Sequence, residues 1–177
     1  MQVTVRHDMP VNADRWWRGH YFDRGFLTHN YVEQQGFASI EFVELHFDPG
    51  GTSRRHIRYV KKLDFPRALA RLVEDTITIE ERGEMGPDGR MRFDIQSSSR
   101  LSNRVQMGGT LWVEPRAGGI TRVSGLTYKV NVLGVGGLLE KLIARNNDEY
   151  YAMEARLVAD YAAAHPAEPA SSPDARA

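Results

Sequence analysis

Hydrophobic positions along this chain repeat with two periods, and the changes between them set the order of the elements. Gln2 to Met9 alternates, with Val3 and Val5 against Thr4 and Arg6, so a strand is expected there, ended by Pro10. Asn12 is placed to cap a first short helix that carries Trp16, Trp17, His20, Tyr21 and Phe22. Gly25 interrupts, and a second short helix through Phe26, Leu27, Tyr31 and Val32 closes at Gly36. The tandem tryptophans read as packing rather than chemistry. From residue 37 the period is two. Residues 38–47 place Glu41, Val43, Leu45 and Phe47 on one face and Ile40, Phe42, Glu44 and His46 on the other. Asp48-Pro49-Gly50-Gly51 turns the chain into residues 54–63, with Ile57 and Tyr59 facing one way and His56, Arg58 and Val60 the other.

Residues 64–75 break the alternation. Pro66 opens a segment in which Leu69, Leu72 and Val73 recur at helical steps, so a short inserted helix is expected. Strands then resume at 76–82, 90–98, 104–114 and 120–132, separated by turns at 86–89 and 115–119. After Gly134, Gly136 and Gly137, residues 138–164 contain neither Gly nor Pro, which predicts one long helix. Leu139, Leu142, Ile143, Tyr150, Met153, Leu157 and Tyr161 form its apolar stripe, with Lys141, Arg145, Asp148, Glu149 and Arg156 opposite. Hairpin-ordered strands make an antiparallel sheet, and this helix is the one long amphipathic element available to cover it. Pro166, Pro169 and Pro173 mark residues 166–177 as a disordered tail, leaving one domain over residues 1–165.

Composition narrows the chemistry. The 23 basic and 23 acidic residues of the 177-residue chain cancel, which argues against a nucleic-acid module. With no cysteine there is no disulfide framework, thiolate metal site or cysteine nucleophile. The N-terminal stretch lacks a signal-peptide core, and no apolar run reaches the ~18 residues of a membrane span, so a cytoplasmic location is expected. Gly134-x-Gly136-Gly137 lacks the Lys-Ser/Thr of a phosphate loop. His46 and His56 can approach across the hairpin but want further ligands, and no metal or cofactor is expected.

Three features carry chemistry. Met91, Phe93, Met107, Gly109 and Tyr128 mix large and small residues on the alternating strand faces, which suits an adaptable pocket or an ordinary core. Asn146 falls inside the apolar stripe, where an unpartnered amide would cost ~1–3 kcal/mol. Glu41, Tyr59 and Lys61 are the available acid–base groups beside apolar positions.

The order of elements resembles the START-like (SRPBCC, helix-grip) superfamily over roughly residues 3–164. Phe65-Pro66-Arg67-Ala68-Leu69 before the fourth strand, Gly109-Thr110-Leu111, Gly118-Gly119-Ile120-Thr121-Arg122, Gly134 to Glu140, Asp148-Glu149-Tyr150 and Glu154 resemble a bacterial START-like family of unknown function. The resemblance implies an α+β helix-grip fold. A curved seven-stranded antiparallel sheet wraps round a long C-terminal helix, with two short helices after the first strand and one short inserted helix. It also implies a cavity between sheet and helix. The expected ligand-facing residues are Tyr59, Phe93, Met107, Tyr128, Leu142, Ile143, Asn146 and Tyr150. Pro66, Leu69, Leu72, Val135 and Leu138 are expected round its entrance. The expected function is binding or transport of a hydrophobic small molecule, a lipid first among candidates. It comes with transient membrane contact, no nucleic acid and a monomer or weak dimer. The alternatives are a cofactor-free enzyme of the polyketide cyclase or hydratase kind and an interaction domain with a filled core; the reading leans away from an enzyme.

Overall fold

The computed structural model describes residues 1–62, 76–98, 102–134 and 136–165. The expected inserted helix at 64–75 and the tail at 166–177 lie outside them. Strand β1 (Gln2–Met9) leads into α1 (Ala13–Trp16), whose helical path continues through Trp17–Tyr21 with wider, π-type turns. Asn12 caps it, its side-chain oxygen accepting the Arg15 N–H at 2.8 Å. Asp23 caps α2 (Arg24–Thr28) in the same way through the Phe26 N–H at 2.7 Å, and this segment also widens over His29–Gln34. Gly36 ends it at φ 66°, where a side chain would be disfavoured.

Six further strands follow: β2 (Ser39–His46), β3 (Ser53–Lys62), β4 (Thr76–Met85), β5 (Met91–Ser97), β6 (Val105–Arg116) and β7 (Gly119–Val130). They form one antiparallel sheet in the order β1-β7-β6-β5-β4-β3-β2. Every neighbour pair but β1–β7 is consecutive in sequence, and β1 closes onto β7 at the far edge. The 29-residue helix α3 (Gly136–Ala164) packs against β1 and β7. This is the seven-stranded α+β helix-grip arrangement.

Two local departures decide which side chains face inward. A bulge at Val43 shifts the β2–β3 register between Phe42 and Glu44. One extra residue reverses which face the following side chains take. Ile40 and Phe42 before the bulge, and Leu45 and Phe47 after it, therefore all reach the core, while Val43 is 44% exposed. The simple alternation that put Glu41 on an apolar face is thereby corrected. Glu41 is exposed and faces Arg58, 3.4 Å away, on the outside of the sheet.

The second departure is the rotation of α3. Its buried positions are Leu139, Glu154, Val158 and Ala162, with Ile143, Asn147 and Tyr151 partly buried beside them. Met153 is 43% exposed. The buried face is turned from the apolar stripe by most of a residue step, about 100°, because it carries two polar side chains that hydrophobicity alone cannot place. Asn146 is accordingly exposed, which corrects its expected burial, and Asn147 is the amide that points inward.

Leu139 is 3% exposed and packs on Val130, whereas Leu142 is half-buried at the edge of that cluster. Leu139→Ala should cost about 2–5 kcal/mol, and Leu142→Ala clearly less. Urea unfolding of the two variants checks the order. Equal losses would mean that the helix is rotated otherwise.

Candidate functional site

Between the middle strands and α3 lies a cavity of about 80 Å³. Its walls come from four directions. Strand β3 supplies Arg55, Tyr59 and Lys61, and β4 supplies Ile79 and Glu81. Phe93, Ile95 and Leu111 form the floor from β5 and β6. The two short helical segments contribute Tyr21 and Tyr31, with Phe37 just beyond, and α3 contributes Asn147, Tyr150, Tyr151 and Glu154. The period of two explains the strand contributions: Arg55, Ile57, Tyr59 and Lys61 share one face of β3, and Ile77, Ile79 and Glu81 share one face of β4.

Five tyrosines line this space, and burial pushes the phenols of Tyr59, Tyr150 and Tyr151 well above their ordinary value. Tyr21 and Tyr31 are raised for the same reason, with the nearby Arg55 charge opposing it. All five stay protonated at neutral pH and can donate a hydrogen bond. Tyr31, Phe37 and Tyr59 pack ring to ring at 5.0–5.3 Å.

Two buried ion pairs are built into the walls. Arg55 Nε lies 3.1 Å from Glu81 Oε1. The same guanidinium donates to the Tyr21 carbonyl at 3.0 Å and the Tyr31 hydroxyl at 3.3 Å. It also stands 4.1 Å from the Tyr21 ring centre. Glu154 accepts from Arg122 Nη1 and, at 3.3 Å, from Asn30 Nδ2. Arg122 in turn donates to the Tyr151 carbonyl at 3.1 Å. These bonds tie α3 to β7 and to the second helical segment, and they fix the rotation of α3.

Lys61 is different. It is half-buried, its Nζ 5.0 Å from the Phe37 ring centre, and burial lowers its pKa. Among the described residues no carboxylate pairs with it.

Of the expected ligand-facing residues, the structure brings Tyr59, Phe93 and Tyr150 to the cavity wall. Tyr128 is buried beside it and accepts from Asn147 Nδ2 at 2.9 Å. Met107 packs at the edge of the main core, and Leu142 and Ile143 pack near the start of α3; none of the three lines the cavity. Asn146 faces outward. Leu138, in the first turn of α3, is 59% exposed, and Leu133, just before that helix, is fully exposed. Pro66, Leu69, Leu72 and Val135 lie outside the described residues.

The strongest features of the site, Arg55, Glu81, Arg122 and Glu154, were not singled out by the apolar pattern. A signal was present for three of them: each continues an inward-facing alternation, Arg55 before Ile57 and Tyr59, Glu81 after Ile77 and Ile79, Arg122 before Leu126 and Tyr128. The outward charges are a separate group. His56 meets Glu80 at 2.5 Å, and hydrogen bonds from His56, Arg82 and Arg58 hold that carboxyl well below the usual range.

The family model for a protein of unknown function, DUF2505, matches residues 4–161. The chain belongs to the DUF2505 family. No curated protein matches it. Solved structures show the fold of this DUF2505 member in other chains. TTHA0849 from Thermus thermophilus superposes with a TM-score of 0.60 at 20% identity, covering 94% of this chain and 100% of that one. Ara h 8.0201 gives 0.61 at 12% identity, with 93% and 99% covered. The Zhui aromatase/cyclase from a Streptomyces species gives 0.59 at 12% identity, with 92% and 93% covered. At these identities the likeness concerns the fold alone. No described helix is long and apolar enough to cross a membrane.

Proposed function

We propose that this DUF2505 protein binds a small aromatic or amphipathic molecule in the cavity between sheet and helix. The observation that carries the reading is the wall itself: aromatic and aliphatic side chains enclose an internal space, and the buried ions that adjoin it are already paired. Pockets for drug-sized ligands measure ~300–1,000 Å³. At about 80 Å³ this cavity suits a single ring or a short chain, and only after its walls give. The lipid candidate therefore yields to a smaller ligand. A carrier of such molecules would present exposed Leu133 and Leu138 to a membrane surface.

A second reading is supported by the hydroxyl-rich lining and by similarity to aromatase/cyclases, Zhui and the di-domain ARO/CYC BexL. Cyclisation of a poly-carbonyl chain needs donors placed at developing enolate oxygens, and Tyr31, Tyr59 and Tyr150 are such donors. It requires that Tyr59→Phe lose turnover while still binding.

Native mass spectrometry of freshly purified protein, run beside the Ile95→Phe variant, tests the binding reading. Ile95 lines the cavity and is partly buried, so the larger ring fills the space at modest cost. The expected result is a retained small molecule on the parent and none on the variant. A ligand held equally by both, or a parent that retains none and takes up no added aromatic, overturns the reading.

A further inference from the structure

Among the described residues the charges round the cavity do not cancel. Arg55 is matched by Glu81 and Arg122 by Glu154, each across a buried contact. The tyrosines are neutral. That leaves Lys61, which sits on the inward face of β3, two residues beyond Tyr59, with its ammonium set against the Phe37 ring. Among the described residues it has no carboxylate, so among them one positive charge at the cavity is left without a counter-charge.

A half-buried lysine could instead reach solvent with its head while its stem packs. Two observations oppose that for Lys61. It lines the cavity, and the cause that moves its titration is loss of water, which lowers it. The neighbouring Lys62 on the same strand is exposed.

We propose that Lys61 is the anion-recognition group of this cavity and that its ligand is a small aromatic carboxylate. The inference rests on the cavity being a ligand site and adds the ligand's charge. The carboxylate meets the ammonium and relieves its desolvation. The ring lies among Phe37, Tyr59 and Phe93. The Tyr31 and Tyr150 hydroxyls bond each other and both stay protonated, so the pair keeps one O–H to donate to a second oxygen. A carboxylate is favoured over a phosphate because one ammonium and neutral phenols match a single negative charge, and among the described residues no guanidinium in the wall is free to grip a dianion.

Benzoate and its uncharged counterpart benzamide have nearly the same shape and separate charge from fit. Titration calorimetry of both into the full chain, its Lys61→Met variant and its Lys61→Arg variant tests the assignment. Benzoate should bind the parent at least about tenfold more tightly than benzamide, the scale of a charge-assisted hydrogen bond in a partly desolvated site. Lys61→Met should remove that preference and leave benzamide binding within about twofold, while Lys61→Arg, which keeps the charge, should retain it. Lys61→Met should also melt above the parent, because it removes a desolvated charge and keeps the apolar stem. Equal binding of the two probes by the parent, or a preference that survives Lys61→Met, overturns the role of Lys61 and leaves the cavity reading standing. Failure of both probes to bind the parent overturns the two together.

Discussion

Glu154→Ala is expected to destabilise the protein by about 3–5 kcal/mol in urea unfolding, as breaking one side of a buried ion pair does. The Glu154 side chain is 7% exposed and that of Arg122 1%. Without the carboxylate, the guanidinium keeps the Tyr151 carbonyl, a distant His7 nitrogen and the faces of the Tyr151 and Trp16 rings, but no counter-charge among the described residues. Asn30 loses its acceptor as well. The loss is thus the cost of leaving a buried charge without its carboxylate and a buried amide N–H without its acceptor, rather than the value of the pair. The double variant Arg122→Met, Glu154→Leu separates these. It leaves no charge behind, and apolar replacement of a buried pair is often neutral or stabilising. It should recover most of the stability, and a double-mutant cycle reads the coupling. A loss below about 1 kcal/mol, the scale of an exposed pair, would show that water reaches Arg122.

This pair also explains what was legible in the sequence and what was not. Strand number, strand order and the long helix follow from runs whose polarity and period agree, such as Ile77-x-Ile79 and Leu126-x-Tyr128-x-Val130. The pattern fails where a polar residue is buried on purpose. The α3 stripe read from Leu139, Ile143, Met153 and Leu157 is displaced because the real interface includes Asn147 and Glu154, which hydrophobicity assigns to solvent. Their partners, Tyr128 and Arg122, are far away in sequence and come close only through the β7–α3 packing. Glu41 failed for another reason. The bulge at Val43 has no Gly or Pro to announce it, and one inserted residue turns the rest of the strand over. Tyr59, Phe93 and Tyr150 reach the cavity wall, and their inward positions were legible because aromatic residues there look the same in sequence whether they fill a core or line a cavity.

Glu81→Ala should move stability and binding in opposite directions. Arg55, 2% exposed, would remain in the cavity wall without its carboxylate, still bonded to the Tyr21 carbonyl and the Tyr31 hydroxyl. The expected loss is again about 3–5 kcal/mol. Among the described residues the cavity would then hold two positive charges without a carboxylate, Arg55 and Lys61, where the parent holds one. Benzoate binding should tighten several-fold, and benzamide binding should stay unchanged. A variant that had merely loosened would weaken both probes or change both alike, so the split between them is the informative measurement. Urea unfolding in the presence of saturating benzoate should return part of the lost stability, because the ligand binds only the folded state. If Glu81→Ala lowers stability but leaves the two probes in their parental ratio, the guanidinium does not face the ligand. The Arg55–Glu81 pair would then brace β3 against β4 and the helical segment carrying Tyr21 and Tyr31, without shaping what the cavity accepts.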